Sequence, residues 1–187
     1  MNIRSLLICL LGTTLPLYAQ RGPQDIQLYF SPRGRATEAI VSSLNGAQKS
    51  VLVMAYSFTS APIAKALVEA HQRGVDVRVI LDKSQKSEKY TSATFLTNVG
   101  VPTFIDSAHA IAHNKVMVID QCTVITGSFN FTKAAEEKNA ENLLVINNAP
   151  ELAKSYTANW QVHRGHSKAL VVAAISAPYA SSFTLPR

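Results

Sequence analysis

The stretch HNKVMVIDQCTVITGSFNFT, residues 113–132, contains two apolar runs separated by a single polar residue. The runs KVMVID (115–120) and CTVITG (122–127) have the length and the β-branched content of strands, and Gln121 between them predicts a tight turn. The sequence therefore predicts a β-hairpin whose ends are marked by polar residues.

Alternation along each strand decides which of these polar side chains meet. Residues two apart share a face of a strand, so His113 and Lys115 are expected to point the same way. Ser128 and Asn130, placed on the next strand, share a face by the same rule. The hairpin is therefore expected to bring an imidazole, an ammonium, a hydroxyl and an amide close together.

This combination suits chemistry at a phosphoryl group. The imidazole of His113 can attack phosphorus or move a proton, the ammonium of Lys115 offsets oxyanion charge, and the amide of Asn130 donates hydrogen bonds. Glu141, at the start of the next predicted strand, could accept the other N–H of His113 and fix its tautomer. Asp120 is an odd number of residues from His113, so it is expected to hold the turn instead of touching substrate.

The rest of the chain alternates between strand and helix patterns around one hydrophobic core. With 187 residues, 47% of them hydrophobic, it is long enough for one such core. The expected fold is α/β, a mixed β-sheet sandwiched by helices in a single domain. Further strands are predicted at 26–30, 51–58, 75–82, 101–106 and 141–147, and helices at 34–48, 61–74, 87–100 and 150–165.

The two ends of the chain differ from its middle. Residues 1–19 have a short basic start and an interrupted apolar run, which predicts a signal peptide and a periplasmic or secreted protein. Residues 20–166 are assigned to the catalytic domain. Residues 167–187 form a tail of unknown role, whose apolar run is too short to span a membrane.

The net charge of +6, from 18 basic and 12 acidic residues, favours an anionic partner. Nucleic acid and an anionic lipid surface both fit this charge. Two arginines in SPRGR (31–35), at a predicted strand-to-helix turn, could bind a phosphate or lie in solvent.

The motif positions together resemble those of the phospholipase D superfamily. HNKVMVID fits His-x-Lys-x4-Asp, and Gly127, Ser128, Asn130 and Glu141 follow at matching spacings. The predicted signal peptide, the short length and the single motif are most similar to the small secreted bacterial endonucleases of that superfamily.

The resemblance implies a role for each motif residue. His113 would be the nucleophile and pass through a phosphohistidine, Lys115 and Asn130 would bind the phosphate, and Glu141 would orient the imidazole. Ser128 would support the phosphate site. Asp120 and Gly127 would give structural support. No cofactor and no obligatory metal are implied.

The resemblance also implies an assembly. The chemistry of the family needs two histidines, one to attack and one to protonate the leaving oxygen, and longer members carry two copies of the motif. This chain carries one copy, so the active site is expected to be shared across a homodimer.

Three other functions stay open at this point. The same motif would serve a phospholipid substrate, with DNA or RNA as the alternative. A non-catalytic nucleic-acid-binding module is disfavoured by the intact His113 and Lys115. A serine hydrolase using Ser128 with His113 is disfavoured because the G-x-S-x-G elbow is missing. His163 and His166 could be half of a metal site, but no carboxylate or cysteine accompanies them in sequence, so an exposed helix end is expected there.

Overall fold

The computed structural model describes residues 25–86 and 92–171. The predicted signal peptide, the start of the predicted helix 87–100 and most of the predicted tail lie outside these residues. The described strands are β1 (Asp25–Ser31), β2 (Ser50–Ala55), β3 (Asp76–Asp82), β4 (Thr103–Asp106), β5 (Lys115–Ile119), β6 (Thr123–Gly127), β7 (Glu141–Asn147) and β8 (Lys168–Ala169). The α-helices are α1 (Ala36–Gly46), α2 (Ala61–Gln72), α3 (Ser92–Asn98), α4 (Lys133–Glu137) and α5 (Pro150–His166).

All eight strands form one sheet in the order β1-β7-β6-β5-β2-β3-β4-β8. Strands β2, β3 and β4 run parallel to one another, and the other neighbouring pairs are antiparallel. The prediction of a single α/β domain with a mixed sheet between helices is confirmed.

Strand β2 shows why the sheet needs a helical layer on each face. Val51 and Val53 belong to the core shared with α1 and α2, whereas Met54 belongs to a second core that contains Trp160 of α5. Apolar side chains on both faces of a strand give the near-continuous apolar run seen in its sequence. The indole Nε1 of Trp160 also donates to the carbonyl of Val53 at 3.0 Å, which anchors α5 to the middle of the sheet.

The predicted hairpin is present as β5 and β6. The turn between them places Asp120 and Gln121 at φ 52° and 55°, and the N–H of Cys122 donates to the carbonyl of Ile119 at 3.0 Å. The register pairs Val118 with Val124.

Several bounds differ from the sequence prediction. β2 ends at Ala55, and Phe58 instead forms an isolated parallel bridge with Phe131. Helix α4 and strand β8 were not predicted, because five and two residues are too few to show a period. Among the described residues, no helix is both long enough and apolar enough to cross a bilayer.

Candidate active site

His113 lies just before β5, on a loop that the core holds in place. Strand β5 begins at Lys115, as the predicted run 115–120 does, so His113, to which the alternation rule was extended, lies outside the strand. The N–H of Ala112 donates to Oδ2 of the buried Asp82 at 2.7 Å, which fixes the residue before His113. The exposed imidazole packs on Tyr56 with 4.6 Å between ring centroids. Neither Asp82 nor Tyr56 was predicted, because the contacts come from other strands and leave no spacing signal.

Lys115 is a buried cation beside this imidazole. The residue is 6% exposed, its Nζ donates to the carbonyl of His113 at 2.8 Å, and Nζ lies 5.1 Å from the centre of the Tyr56 ring. Burial lowers the pKa of Lys115, and the charge of Glu141 offsets part of that effect. His113 and Lys115 therefore both lie against the Tyr56 ring, which is consistent with the expectation that they lie close together.

Ser128 and Asn130 follow β6 and lie beyond its last residue. The neighbouring Phe129 is 1% exposed and buried in the core, whereas Ser128 is exposed and Asn130 is half-buried. Ser128 Oγ accepts from the backbone N–H of Asn142 at 3.0 Å. Asn130 has a buried Oδ1 that finds no hydrogen-bond partner among the described residues. This oxygen is an acceptor, so a donor group is needed to satisfy it, while the NH2 group of the same amide can donate to an anion.

Gly127 permits the approach of β6 to β7 at this point. Its φ is +148°, and a Cβ on it would lie 2.3 Å from the carbonyl oxygen of Asn142. That carbonyl accepts from the N–H groups of Ser128 and Phe129, both at 3.1 Å. A side chain at Gly127 would therefore displace the backbone that positions Ser128.

Glu141 begins β7 on the Lys115 side of the site. Its N–H donates to Ser31 Oγ at 3.2 Å, and its Oε1 accepts from Asn139 at 3.3 Å. Within the described part of one chain, no hydrogen bond joins Glu141 to His113. The orienting role of Glu141 stays a prediction, while its electrostatic effect on Lys115 is present.

Asp120 holds a neighbouring segment by its carboxylate. Its oxygens accept from the backbone N–H groups of Gln48, Lys49 and Ser50 at 2.9, 2.7 and 2.9 Å. Burial alone would raise the pKa of Asp120, but the hydrogen bonds from these three residues outweigh burial and lower it. Asp120 thus fastens the start of β2 to the hairpin turn, away from His113.

The structure also bears on the serine-hydrolase alternative and on the arginines of residues 31–35. Ser128 Oγ has its described hydrogen bonds with Asn142 and none with His113, which removes the geometry that a serine hydrolase requires. Arg35 forms an exposed ion pair with Glu38 at 2.7 Å.

A separate cluster corrects the interpretation of His163 and His166. The sequence left this pair without a carboxylate, but both rings contact the buried Asp106, and His109 joins them. Burial alone would raise the pKa of Asp106, but hydrogen bonds from His163, Ala108 and His166 outweigh burial and lower it to about 2. The carboxylate and His109 lie far from the pair in sequence, which is why their proximity was not predicted.

Comparison with known proteins places this arrangement in a family. The family model described as cardiolipin synthase, PLD-like domain, matches residues 40–163. The chain belongs to the phospholipase D superfamily. The match includes His113, Lys115, Asn130 and Glu141, so the residues singled out by spacing lie inside the phospholipase D-like domain.

Relatives and solved structures agree with this assignment. A phospholipase D from Rickettsia felis is 43% identical over 131 residues, which are 70% of this chain and 65% of that protein. A mitochondrial cardiolipin hydrolase from Xenopus laevis is 32% identical over 126 residues, or 67% of this chain and 60% of that protein. The chain therefore spans just under two thirds of the Rickettsia relative.

The structural similarity extends over whole neighbouring chains. The phospholipase D family member Nuc from Salmonella typhimurium has a TM-score of 0.78 and 41% identity, and the match covers 80% of this chain and 100% of Nuc. NucT from Helicobacter pylori has a TM-score of 0.72 and 25% identity over 79% of this chain and 100% of NucT.

Proposed function

We propose that the chain is a phosphodiesterase that hydrolyses phosphodiester bonds of nucleic acids through a phosphohistidine on His113. The observation that carries this proposal is the buried amine of Lys115 beside the exposed ring of His113. A cation held away from water beside a nucleophile stabilises an anionic transition state. The side-chain NH2 group of Asn130 is a hydrogen-bond donor and would supply a further contact for phosphate oxygens.

The proposed reaction has two displacement steps at phosphorus. A ring nitrogen of His113 attacks phosphorus, the N–P bond forms, and the bond to the leaving oxygen breaks while a second histidine gives that oxygen a proton. Water then attacks phosphorus, the N–P bond breaks, and the second histidine takes a proton from the water. The products are one phosphate monoester end and one hydroxyl end.

We propose that a second copy of the chain supplies the second histidine. Strand β1 is at the edge of the sheet, and its alternate residues Ile26, Leu28 and Phe30 are 57%, 52% and 63% exposed. We call these three residues the β1 stripe. Phe30 pairs with Asn142 and Ser31 with Glu141, so the stripe runs up to the active site. An exposed apolar row of this kind favours association, and a partner seated there would adjoin the site.

Substitution within the β1 stripe tests the assembly. Leu28→Lys should produce monomers in light scattering and lower the cleavage rate at least tenfold, because a buried lysine in the interface lacks a partner. Phe95→Lys, on the 47% exposed Phe95 of α3, is the matched control and should leave both properties unchanged. A dimeric and active Leu28→Lys protein would contradict this interface.

Nucleic acid is the preferred substrate class because the chain carries a net charge of +6 and His113 lies exposed at the surface. Phospholipid is the second candidate, and the names of the Rickettsia and Xenopus relatives favour it. We also propose export to the periplasm or the medium, on the basis of the apolar start of the sequence. Fractionation of cells that express the full chain checks that location.

Comparison of the two substrate classes is the deciding experiment. Plasmid DNA, single-stranded RNA and vesicles of phosphatidylcholine or cardiolipin are each incubated with the protein and with His113→Ala. Cleavage of nucleic acid by the wild type alone, with an acid-labile phosphoenzyme, supports the proposal. Release of a lipid head group without nucleic-acid cleavage would assign the alternative substrate, and equal activity of His113→Ala would remove the nucleophile.

In the proposed reaction Lys115 supplies the positive charge and histidine supplies the protons, so no metal ion is required. The initial rate at 25 °C should therefore persist in excess EDTA. Loss of this rate from a protein that is still folded by circular dichroism, with recovery on adding Mg²⁺, would contradict a metal-independent reaction.

A further inference from the structure

Three histidines and one aspartate converge at the far edge of the sheet, outside the residues assigned to catalysis. Asp106 ends β4, His109 lies in the loop that follows, and His163 and His166 lie one turn apart near the end of α5. Residues three apart on a helix share a face. Strand β8 pairs with β4, which holds the end of α5 next to Asp106. We call these four residues the β4–α5 cluster.

The geometry of the β4–α5 cluster centres on one carboxylate oxygen. Oδ2 of Asp106 lies 2.7 Å from His163 Nδ1, 3.2 Å from His166 Nε2 and 3.2 Å from His109 Nδ1. The other oxygen accepts the N–H of Ala108 at 3.0 Å. The Asp106 side chain is 0% exposed, whereas those of His109 and His166 are 45% and 32% exposed. An ion could therefore reach a buried carboxylate through two partly open rings.

Hydrogen bonding alone does not account well for this arrangement. A carboxylate oxygen has about two acceptor sites, yet three imidazole nitrogens approach the same one. If the three rings were protonated, three positive charges would lie close together and repel one another. A cation among the four side chains removes both difficulties, because neutral imidazoles then present lone pairs to the ion.

We propose that Asp106, His109, His163 and His166 bind one divalent transition-metal ion of the zinc type. The four candidate ligand atoms lie within 4.8 Å of one another. The ring centroids are 4.9, 5.1 and 5.4 Å apart. Imidazoles on a tetrahedral ion with Zn–N bonds of about 2.0–2.1 Å have ring centres roughly 5 Å apart, so the observed spacing fits. Imidazole with one carboxylate selects Zn²⁺, Co²⁺ or Ni²⁺ over Mg²⁺ and Ca²⁺.

The role of the ion follows from its position in the fold. Four protein ligands fill a tetrahedral shell, which is typical of structural sites. The ion would join the end of α5 to the loop between β4 and β5, and that loop contains His113, four residues after His109. Lys83 Nζ donates to the carbonyl of His109 at 3.1 Å, so the same loop is already held at that point from the β3 side. The site therefore stabilises the loop and takes no part in the reaction.

Binding is tested in the full chain carrying His113→Ala and no added histidine tag. Of the five histidines of the chain, this variant leaves His71 as the one outside the β4–α5 cluster. Metal-free protein is titrated with Co²⁺, and visible absorption of a tetrahedral ion is followed. Saturation at one Co²⁺ per chain, displacement by Zn²⁺, and a melting temperature that rises with Zn²⁺ but not with Mg²⁺ support the site.

Variants of the ligands make the result specific. His163→Ala, and the more exposed His166→Gln and His109→Gln, should each weaken Co²⁺ binding at least tenfold and remove the Zn²⁺-dependent rise in melting temperature. His71→Ala is the matched control and should bind as the parent does. If His163→Ala fails to fold, the two glutamine variants carry the test. A stoichiometry below about 0.1 ion per chain, or Co²⁺ absorption unchanged in the glutamine variants, would overturn the proposal.

Discussion

At the scale of single residues, the charge of Lys115 is expected to lower the stability of the protein while serving its proposed function. Its ammonium is buried with no carboxylate in hydrogen-bonding contact in the described part of the chain, and burial lowers its pKa. A buried charge without a close counter-ion costs folding free energy. The proposed role of Lys115 as a phosphate ligand would explain why the protein keeps a buried charge that costs it stability.

We expect Lys115→Met to remove phosphate binding while keeping the fold. The apolar side chain fills similar volume without the desolvation cost, so the melting temperature should be equal to or above that of the wild type. The cleavage rate should fall by about 10²–10³, as for loss of a charge-assisted contact. Thermal unfolding and initial rates measure the two effects, with the exposed Lys65→Met as the control. A strongly destabilised but active variant would contradict this role.

Asp120 shows the opposite pattern, since its carboxylate is fully engaged by the fold. Asp120→Asn should lower the free energy of unfolding by about 1.5–3 kcal/mol at neutral pH, because three backbone N–H groups lose a charged acceptor. The folded-state pKa is below its ordinary value, so this stabilisation is present above about pH 4 and is lost as the pH falls through the folded pKa.

Denaturant unfolding at several pH values checks this expectation. The difference between wild type and Asp120→Asn should shrink in acid. The exposed Asp76→Asn, whose wild-type carboxylate pairs with Arg78, should cost about 0–1 kcal/mol. A difference between wild type and Asp120→Asn that stays constant down to pH 2 would contradict the hydrogen-bond explanation.

At the scale of elements, the close approach of β6 to β7 depends on one glycine. Gly127→Ala should destabilise the protein by about 2–4 kcal/mol, because its Cβ would meet the carbonyl of Asn142 and its φ of +148° is unfavourable for alanine. Gly46→Ala is the matched control, since a Cβ there meets nothing within 4 Å and should be neutral or stabilising. Equal unfolding free energies for the two variants would show that β7 yields to the added methyl group.

The hairpin and its polar ends could be predicted from sequence because the signal is local. The two apolar runs and the turn at Gln121 predicted β5 and β6. The spacing of His113 and Lys115 predicted that these two residues lie close together. Ser128 and Asn130 were expected on a strand, but β6 ends before them because Gly127 turns the backbone. Tyr56, the residue after β2, and Asp82, the last residue of β3, contact the site from other parts of the chain, and no local sequence pattern predicts such a contact.

The β4–α5 cluster shows the same limit over a longer distance. Asp106 and His163 are 57 residues apart in sequence, and they meet because β8 returns to β4 after α5. A strand of two residues gives no periodic signal, so neither β8 nor the meeting could be predicted. Long-range contacts that depend on short elements are therefore the part of the site that sequence reasoning missed.

At the scale of the whole molecule, a shared site predicts a nonlinear loss of activity on mixing. When wild-type and His113→Ala chains are unfolded together and refolded, activity should fall roughly as the square of the wild-type fraction, to about a quarter in an equal mixture. Two interacting histidines with opposite protonation should also give a bell-shaped pH profile. Mixtures of known ratio and initial rates measure the first effect. A loss proportional to the wild-type fraction, or a fully active monomer in light scattering, would rule out the shared site.

The pairing of β1 with β7 determines when β1 can join the sheet during synthesis. Ser31 and the backbone of Glu141 are 110 residues apart, yet they are neighbours in the sheet. During synthesis the ribosome therefore releases β1 well before β7 has been made. The apolar side chains of β1 stay exposed in the unfolded chain until then. Contacts so distant in sequence slow folding. Strand β1 cannot join the sheet until β7 has been made, so a chain that stops before residue 141 leaves β1 without a partner strand, and its unpaired backbone favours aggregation.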